Sequence, residues 1–204
     1  RPWVPTRKRN LTKPKIQISS SEMELCAMAA KQRHANGRKN NRADVSTTAH
    51  SAFKIDLIGV CGEVALIKYF NMEIDWHDIF TAFGTTDVGE CWEVRSVTQF
   101  HYHLAMWTGG GADETRIKKK LMSGWSKVVV NLLGCESAVC HLDGWAFGYD
   151  MRDFGHRTTD GDNPFQRNRI KRPSLILDNY YLRQHLTPEK DMQVVLDLRN
   201  AFEN

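Results

Sequence analysis

The segment Trp92–Val97 constrains the fold of this chain more than any other stretch of its sequence. Its residues alternate as in a β-strand, with the Trp92 side chain on one face and Glu93 and Arg95 on the opposite face. Two charged side chains therefore share one face of a strand that is otherwise suited to burial. Because an isolated charge is costly to desolvate, we expect partners or a metal ion beside Glu93 and Arg95.

Two further acids are expected near this strand. Asp87 precedes the turn at Gly89 that leads into the strand. Glu63 lies in a predicted helix over residues 52–70, and its neighbours on the same side of that helix are apolar, which points Glu63 inward. Three carboxylates that converge make an all-oxygen site suited to a hard divalent cation.

The order of these acids resembles the signature of the PD-(D/E)XK, or restriction-endonuclease-like, nucleases, in which an Asp is followed after a short gap by Glu-x-Lys. Here Asp87 is followed by Glu93-x-Arg95, so an arginine stands at the lysine position. The Gly-Val-Cys-Gly-Glu63-Val-Ala segment is similar to the Gly-x-x-Gly-Glu-x-Ala helix of phage and bacterial members. The similarity covers roughly residues 19–183 and is strongest between Asp56 and Val97.

The resemblance implies a fold, an activity and a set of site residues. The fold is an α/β domain with a restriction-endonuclease-like core, a mixed central β-sheet flanked by helices, over residues 19–204. The activity is magnesium-dependent hydrolysis of DNA phosphodiester bonds, with Mn²⁺ able to replace Mg²⁺. The metal ligands are Glu63, Asp87 and Glu93, and Arg95 joins them as a catalytic residue. Arg95 would stabilise negative charge, although its high pKa makes it a poor proton carrier, so a slowed or inactive descendant is the alternative.

Each of these residues also has a purely structural interpretation. Glu63 is also suited to an exposed position on the surface of a helix, and Asp87 is suited to capping the turn that follows it. Glu93 and Arg95 fit an ion-pairing face on an exposed sheet. Glu90 competes with Glu93 as the ligand, but it lies in the turn and lacks the spacing to Arg95. At the level of the whole protein, the alternatives are a DNA-binding protein that has lost catalysis and a structural or interaction subunit.

Hydrophobic periodicity predicts the remaining elements. Further helices are expected over residues 19–33, 112–125 and 188–202. Strands are expected near 79–83, 127–133 and 138–147, and the last two should form a hairpin. A loop is expected over 153–174, followed by a weak signal for a strand or the start of a helix over 175–182. Residues 100–107 are expected to continue the strand of Glu93 or to follow it after a bend. An unbroken continuation places His101 and His103 on the Glu93 face as weaker catalytic candidates, and His141 and Asp143 in the hairpin are weaker still.

Basic residues are concentrated at the N-terminal end, where residues 1–42 hold eleven of the 28 Lys and Arg but only two of the 24 Asp and Glu. Residues 1–18 are expected to form a basic extended arm. Such a concentration favours a polyanion, here DNA, with a solvated tail as the alternative. Arg167, Arg169, Lys171 and Arg172 form a second basic cluster. A homodimer is also possible, because cleavage of both strands of a duplex often requires two sites.

Five cysteines without a CxxC pair predict free thiols, and Cys135-x4-Cys140-His141 lacks the second half of a zinc site. No apolar run approaches the roughly 20 residues that a membrane span requires, and the N-terminus has no apolar signal core. We therefore expect no membrane partner and a cytoplasmic protein, in the host cell cytoplasm if it is phage-encoded.

Overall fold

The computed structural model describes residues 12–39, 52–81, 87–107, 114–134, 136–158 and 174–203. The α-helices are α1 (Ser20–Lys39), α2 (Ala52–Tyr69), α3 (Trp76–Thr81), α4 (Glu114–Leu121), α5 (Gly148–Phe154) and α6 (Pro188–Glu203). The strands are β1 (Lys15–Ile18), β2 (Trp92–Val97), β3 (Leu104–Trp107), β4 (Gly124–Leu133), β5 (Ser137–Phe147), β6 (His156–Thr158) and β7 (Ser174–Leu177). A 3-10 helix spans Asn179–Tyr181.

The main sheet has four strands in the order β1-β5-β4-β2. β4 and β5 form the predicted antiparallel hairpin, and β1 adds antiparallel to the far side of β5. β2 occupies the opposite edge and runs parallel to β4, so the sheet is mixed. Together with the helices packed against it, this sheet confirms the mixed α/β class and the flanked central sheet.

α2 lies across one face of this sheet and contacts all four strands, and α1 packs against α2. The apolar side of α2 is buried as the sequence predicts, at Leu57, Val60, Val64 and Ile67. Gly62 allows α2 to approach β2 closely, since a Cβ atom there would overlap Ser96 Oγ and lie 3.3 Å from Val94 Cγ1.

These contacts confirm the predicted faces of β2. Val94 and Ser96 turn toward α2, and Trp92 is fully buried in the same core. Because side chains alternate along a strand, Glu93 and Arg95 lie on the face away from α2. At the edge strand, the charged face is therefore separated from the main hydrophobic core by the sheet itself.

A second sheet covers part of that other face. It has three antiparallel strands in the order β3-β7-β6. Leu104, Met106, Leu175 and Leu177 from this sheet form a second buried cluster with residues that include Trp125 of β4. Residues 104–107 thus follow a bend, and the unbroken continuation of β2 is wrong, because β3 finds its partner in β7 rather than in the main sheet.

Several expected elements differ from the structure. Residues 79–81 of the strand predicted near 79–83 lie in helix α3, because the Asp75 carboxylate caps the amides of His77 and Asp78 at 2.9 and 3.3 Å, and residues 82 and 83 lie outside the described residues. The expected loop after residue 153 contains the end of α5 and strand β6. Lys15–Ile18, which we placed in the basic arm, form edge strand β1 with Ile18 fully buried.

Other predictions concern isolated features. Within the part of the chain that the structure describes, no helix is long and apolar enough to cross a membrane. Cys26, Cys61, Cys91 and Cys140 are buried free thiols. Cys135, residues 1–11 and the basic cluster at Arg167, Arg169, Lys171 and Arg172 lie outside the described residues.

Candidate functional site

Asp87 and Glu93 come together at the outer edge of the main sheet. Gly89, with φ +55°, turns the chain so that Val88 pairs with Trp92 at the start of β2. Asp87 Oδ2 then accepts a hydrogen bond of 2.8 Å from the Val94 amide. The Asp87 carboxyl group also shares a side-chain hydrogen bond with Glu93.

The ionisation of Asp87 reflects these surroundings. Asp87 as a whole residue is exposed to solvent. Its carboxyl group is nevertheless surrounded by protein atoms, and this burial raises the pKa of Asp87 above its usual value. The Val94 amide, the positive charges of Arg33 and Lys120 and the side-chain hydrogen bond with Glu93 partly oppose this rise in pKa. Two carboxylates in contact repel one another, so the Asp87–Glu93 pair favours a shared proton or a cation.

Glu63 is buried, as predicted from its apolar neighbours, and it pairs with Arg33 of α1. Arg33 Nη1 and Nη2 donate to the two carboxylate oxygens of Glu63, both at 2.6 Å. Arg33 Nε donates to the Ile79 carbonyl at 2.7 Å, which ties α3 to the same guanidinium. The surface-helix interpretation of Glu63 is therefore wrong, because the residue is the centre of an ion pair between two helices.

Burial raises the pKa of Glu63 to about 7, and the nearby charge of Asp87 acts in the same direction, whereas Arg33 lowers it. Burial alone would lower the pKa of Arg33, but its hydrogen bonds to Glu63 and the charges of Glu63, Asp87 and Asp56 raise it overall. Arg33 therefore stays charged, and Glu63 accepts both guanidinium hydrogen bonds as a carboxylate at pH values above about 7. The charge of Asp87 thus acts on Glu63, although the Glu93 side chain lies on the face of the sheet away from α2.

Lys120, at the end of α4, brings a second cation to this region. Trp125 Nε1 donates to the Lys120 carbonyl at 2.9 Å, and Lys120 Nζ lies 5.7 Å from the centroid of the Trp125 ring system. Trp125 is the register partner of Glu93 on the neighbouring parallel strand. These contacts place the Lys120 ammonium beside the Glu93 face of the sheet, where its charge acts on Asp87.

Arg95 is exposed on the same face of β2 as Glu93, and its register partner on β4 is Lys127. His101 and His103 do not follow Glu93 and Arg95 along this face, because β2 ends at Val97 and a turn separates it from β3. Strand alternation therefore does not put His101 and His103 on the Glu93 face.

A buried polar network occupies the same face of the sheet further inward. Lys127 is fully buried, and its Nζ donates to Asp143 Oδ2 at 2.7 Å, to the Phe100 carbonyl at 2.7 Å and to Asn179 Oδ1 at 2.8 Å. Asp143 reaches Lys127 through an irregularity in the β4–β5 register, and it also pairs with Lys13. The weak catalytic candidate Asp143 is thus engaged in a buried ion pair.

Carboxylate oxygens are the ligands that Mg²⁺ prefers, so the donor chemistry of the three acids fits this ion. Asp87 and Glu93, which already share a hydrogen bond, fit as ligands directly. Glu63 fits only if it leaves Arg33. Consistent with that pairing, the residues that the structure describes contain no group of three or more His, Cys, Asp or Glu side chains arranged to hold a metal.

A second buried network, which sequence reasoning missed, joins α6 to the main sheet. Ser126 Oγ lies 3.1 Å from His185 Nε2, and His185 Nδ1 lies 2.7 Å from Asp191 Oδ2, which also accepts from the Tyr69 hydroxyl at 2.9 Å. This order of groups resembles a hydrolytic triad. Ser126 is fully buried, however, so its hydroxyl is closed to a substrate, and the network serves to hold α6 in place.

Comparison with known proteins adds no relative: no protein-family model, curated protein or solved structure matches this chain. The fold and the site geometry therefore carry the functional argument. They define a mixed α/β protein with an acidic cluster at the edge of its central sheet.

Proposed function

We propose that this protein is a metal-dependent nuclease that hydrolyses DNA phosphodiester bonds. The observation that carries the proposal is the contact between the Asp87 and Glu93 carboxyl groups at the sheet edge. Two acidic side chains in contact favour a shared proton or a bound cation, and here Glu63 is already paired with Arg33. Acids with a perturbed pKa are concentrated at functional sites, and a bound metal ion is one way in which such a pair is neutralised and used.

The order of elements supports a restriction-endonuclease-like core. Helix α2 carries Glu63, the turn carries Asp87, and β2 carries Glu93-x-Arg95, as the resemblance implies. α4 then leads into β4, which returns parallel to β2 and forms the hairpin with β5. Asp87 and Glu93 meet at the edge of the sheet, whereas Glu63 stands on α2, which packs against the face opposite to Glu93 and Arg95.

Each residue has a separate task in the proposed reaction. Asp87 and Glu93 would hold Mg²⁺, which would supply Lewis-acid activation of the phosphate and of water. Glu63 is the third carboxylate of the site. Arg95 lies on the Glu93 face and stabilises the negative charge that develops on the phosphate, because its planar guanidinium donates two parallel hydrogen bonds to phosphate oxygens.

DNA is the proposed substrate because of the distribution of charge. The chain carries a formal charge of +4, with the basic residues concentrated toward the N-terminus, and each phosphate that a lysine or arginine neutralises releases condensed counterions. The affinity for DNA should accordingly fall steeply as the salt concentration rises. A homodimer with two sites is the proposed assembly for cleavage of both strands, and analytical ultracentrifugation with and without DNA tests it.

The test of the activity is cleavage of linear, circular and single-stranded DNA by purified protein with Mg²⁺ or Mn²⁺. We expect cleavage that is lost in Asp87→Ala and in Glu93→Ala. Glu90→Ala is the matched control, because Glu90 is an exposed acid in the same turn and should leave the activity intact. Equal loss in all three variants, or no cleavage with either metal, contradicts the proposed activity.

Two observations favour a second candidate function, a DNA-binding protein that keeps the nuclease fold without catalysis. Arg33 occupies both oxygens of Glu63, and an arginine stands at the position of the family lysine. DNA binding without cleavage in either metal would support this candidate. Absence of both DNA binding and cleavage would leave a structural or interaction subunit.

A further inference from the structure

Three aromatic side chains that are unusually exposed come from two segments that the fold ties together. Phe100, Tyr102 and Tyr180 are 42%, 40% and 58% exposed. Phe100 and Tyr102 belong to the turn after β2, where the Tyr102 amide donates to the Gln99 carbonyl at 3.3 Å. Asn179 Nδ2 donates to the Phe100 carbonyl at 3.1 Å, which brings the 3-10 helix of Tyr180 to the same turn. We call Phe100, Tyr102 and Tyr180 the aromatic patch.

The buried polar network around Lys127 holds the aromatic patch in place. Lys127 Nζ donates to the Phe100 carbonyl at 2.7 Å and to Asn179 Oδ1 at 2.8 Å, so one buried ammonium fixes both segments. The Phe100 ring also makes an edge contact with His141, with 5.5 Å between the ring centroids. Because the Phe100 turn is already ordered, a ligand that binds there loses little entropy in ordering it.

The ring of Phe100 lies on the same face of the main sheet as the proposed site. Cys140 and Leu142 of β5 point into the main core with α2, so His141 between them points to the opposite face. That opposite face is also the face of Glu93 and Arg95. Because neighbouring strands are about 4.8 Å apart, β5 lies about 10 Å from β2, and an extended chain of a few nucleotides can contact both.

Two lysines add positive charge beside the Phe100 ring. Lys13 Nζ lies 4.7 Å from the centroid of that ring and also pairs with Asp143. Lys15 is exposed, and His141 is its register partner on β5. Burial lowers the pKa of His141, and the charges of Lys15 and Lys13 act in the same direction, whereas the charge of Asp143 opposes them. Positive charge of this kind suits the phosphates of a nucleic acid.

Aromatic rings beside lysines favour one form of DNA over the other. In a duplex the bases are stacked on one another, so their faces are closed to protein side chains. Unpaired bases stack on aromatic side chains, while lysines contact the phosphates of the same strand. We propose that the aromatic patch, with Lys13 and Lys15, binds a single-stranded segment of DNA by stacking its bases. This inference takes DNA as the ligand from the proposed nuclease function.

The first measurement compares the affinities for a fluorescein-labelled oligothymidylate of about twelve nucleotides and for a duplex of the same length. Fluorescence anisotropy is recorded with EDTA, so that no metal-dependent cleavage accompanies binding. We expect Phe100→Ala to weaken binding of the oligothymidylate about tenfold, the equivalent of one lost stacking contact, and binding of the duplex less than about twofold. Phe100→Tyr keeps a ring and should keep the affinity. Equal losses for the two ligands, or an unchanged affinity for the oligothymidylate, overturn the proposal.

The matched control is Phe202→Ala, which removes an aromatic side chain of α6 that is 48% exposed and lies outside the aromatic patch. It should leave both affinities unchanged. Circular dichroism and the Tm show whether each variant is folded. If Phe100→Ala fails to fold, Phe100→Leu keeps the apolar bulk without the ring, and Tyr180→Ala removes a second ring. The same selective loss for the oligothymidylate is expected in both.

The second measurement is the salt dependence of oligothymidylate binding. Lys15→Gln removes one phosphate contact, so the slope of log Kobs against log salt concentration should become shallower by about 0.7. Lys31→Gln removes an exposed charge from α1, which packs against α2 on the other side of the sheet, and it should leave the slope unchanged. An unchanged slope in Lys15→Gln, or an equal change in both variants, overturns the lysine contact.

The two proposals fail in different ways. Absence of cleavage with Mg²⁺ and Mn²⁺, together with binding that depends on Phe100, rejects the nuclease and retains the single-strand site. Cleavage by a protein whose affinity for the oligothymidylate does not depend on Phe100 or Tyr180 rejects the single-strand site alone. Tighter binding of oligouridylate than of oligothymidylate by the unaltered protein makes RNA the ligand and overturns the assignment to DNA.

Discussion

The buried lysine of β4 gives the sharpest test of how the polar face of the sheet is held together. Lys127 is fully buried, and its ammonium group makes three hydrogen bonds of 2.7–2.8 Å. Lys127→Met keeps the length of the side chain and most of its packing, but it leaves the Asp143 carboxylate with Lys13 as its remaining ion-pair partner. The Asp143 side chain is only 6% exposed, so water compensates little for the loss.

We expect Lys127→Met to lower the free energy of unfolding by about 3–5 kcal/mol, the usual cost of removing one partner of a buried ion pair. Urea denaturation followed by tryptophan fluorescence measures this change. The double variant Lys127→Met/Asp143→Leu removes both charges, so its cost should be well below the sum of the two single costs.

Burial acts to raise the pKa of Asp143, but hydrogen bonds from Lys127 and Lys13 lower it overall. Such an acid stabilises the fold above its unfolded pKa of about 4, and that stabilisation is lost as the pH falls further. The acid-side loss of stability should therefore be smaller in Lys127→Met than in the unaltered protein. A cost below about 1 kcal/mol for Lys127→Met, or additive costs in the double variant, would refute this account of the pair.

Three further predictions concern other parts of the fold. The pKa of Glu63 is raised from 4.5 to about 7, so the contribution of Glu63 to stability is present below pH 4.5 and is lost as the pH rises to 7. Relative to Glu63→Gln, the unaltered protein should lose up to about 3 kcal/mol of unfolding free energy over this pH range, measured by urea denaturation. A difference between the two proteins that stays constant with pH contradicts this prediction. His185→Leu should cost about 2–4 kcal/mol, because the Asp191 carboxylate loses its 2.7 Å partner, whereas a change below about 0.5 kcal/mol in thermal unfolding contradicts the network. Gly62→Ala should cost about 1–3 kcal/mol through the contact at Ser96 Oγ, and Ser96→Ala should recover part of that cost; no recovery in the double variant would place the strain elsewhere.

Much of the main sheet could be predicted because short, continuous segments of the sequence carry the patterns that specify its elements. The alternation of Trp92–Val97 and the helical stripe of Ala52–Tyr69 each repeat several times, so chance interruptions do not hide them. The helix α3 was missed because one capping side chain, Asp75, outweighs a short apolar run that resembles a strand. β3 was placed uncertainly because its partner β7 lies far along the chain, and no local pattern encodes that pairing.

The sequence indicates which acids to propose for the site, but it does not indicate the partners that the structure gives them. Arg33 and Glu63 are separated by 30 residues, and nothing in the pattern of either helix indicates the pairing. Lys127 did carry a signal, since a lysine directly before three valines in a central strand requires a buried partner. The sequence does not specify which of the remote acceptors, among them Asp143 and Asn179, supplies it.

The turn-capping and metal-binding interpretations of Asp87 are compatible, because they use different oxygens of one carboxylate. Oδ2 accepts from the Val94 amide at 2.8 Å, which fixes the orientation of the side chain against edge strand β2. A ligand oriented by the backbone needs no further ordering when an ion binds, so the cap would favour the proposed metal site. Asp87→Asn separates the two roles, because the asparagine carbonyl still accepts from Val94 while the negative charge is lost. We expect Asp87→Asn to retain the stability of the unaltered protein within about 1 kcal/mol and to lose DNA cleavage, whereas full cleavage in this folded variant would leave Asp87 as a cap alone.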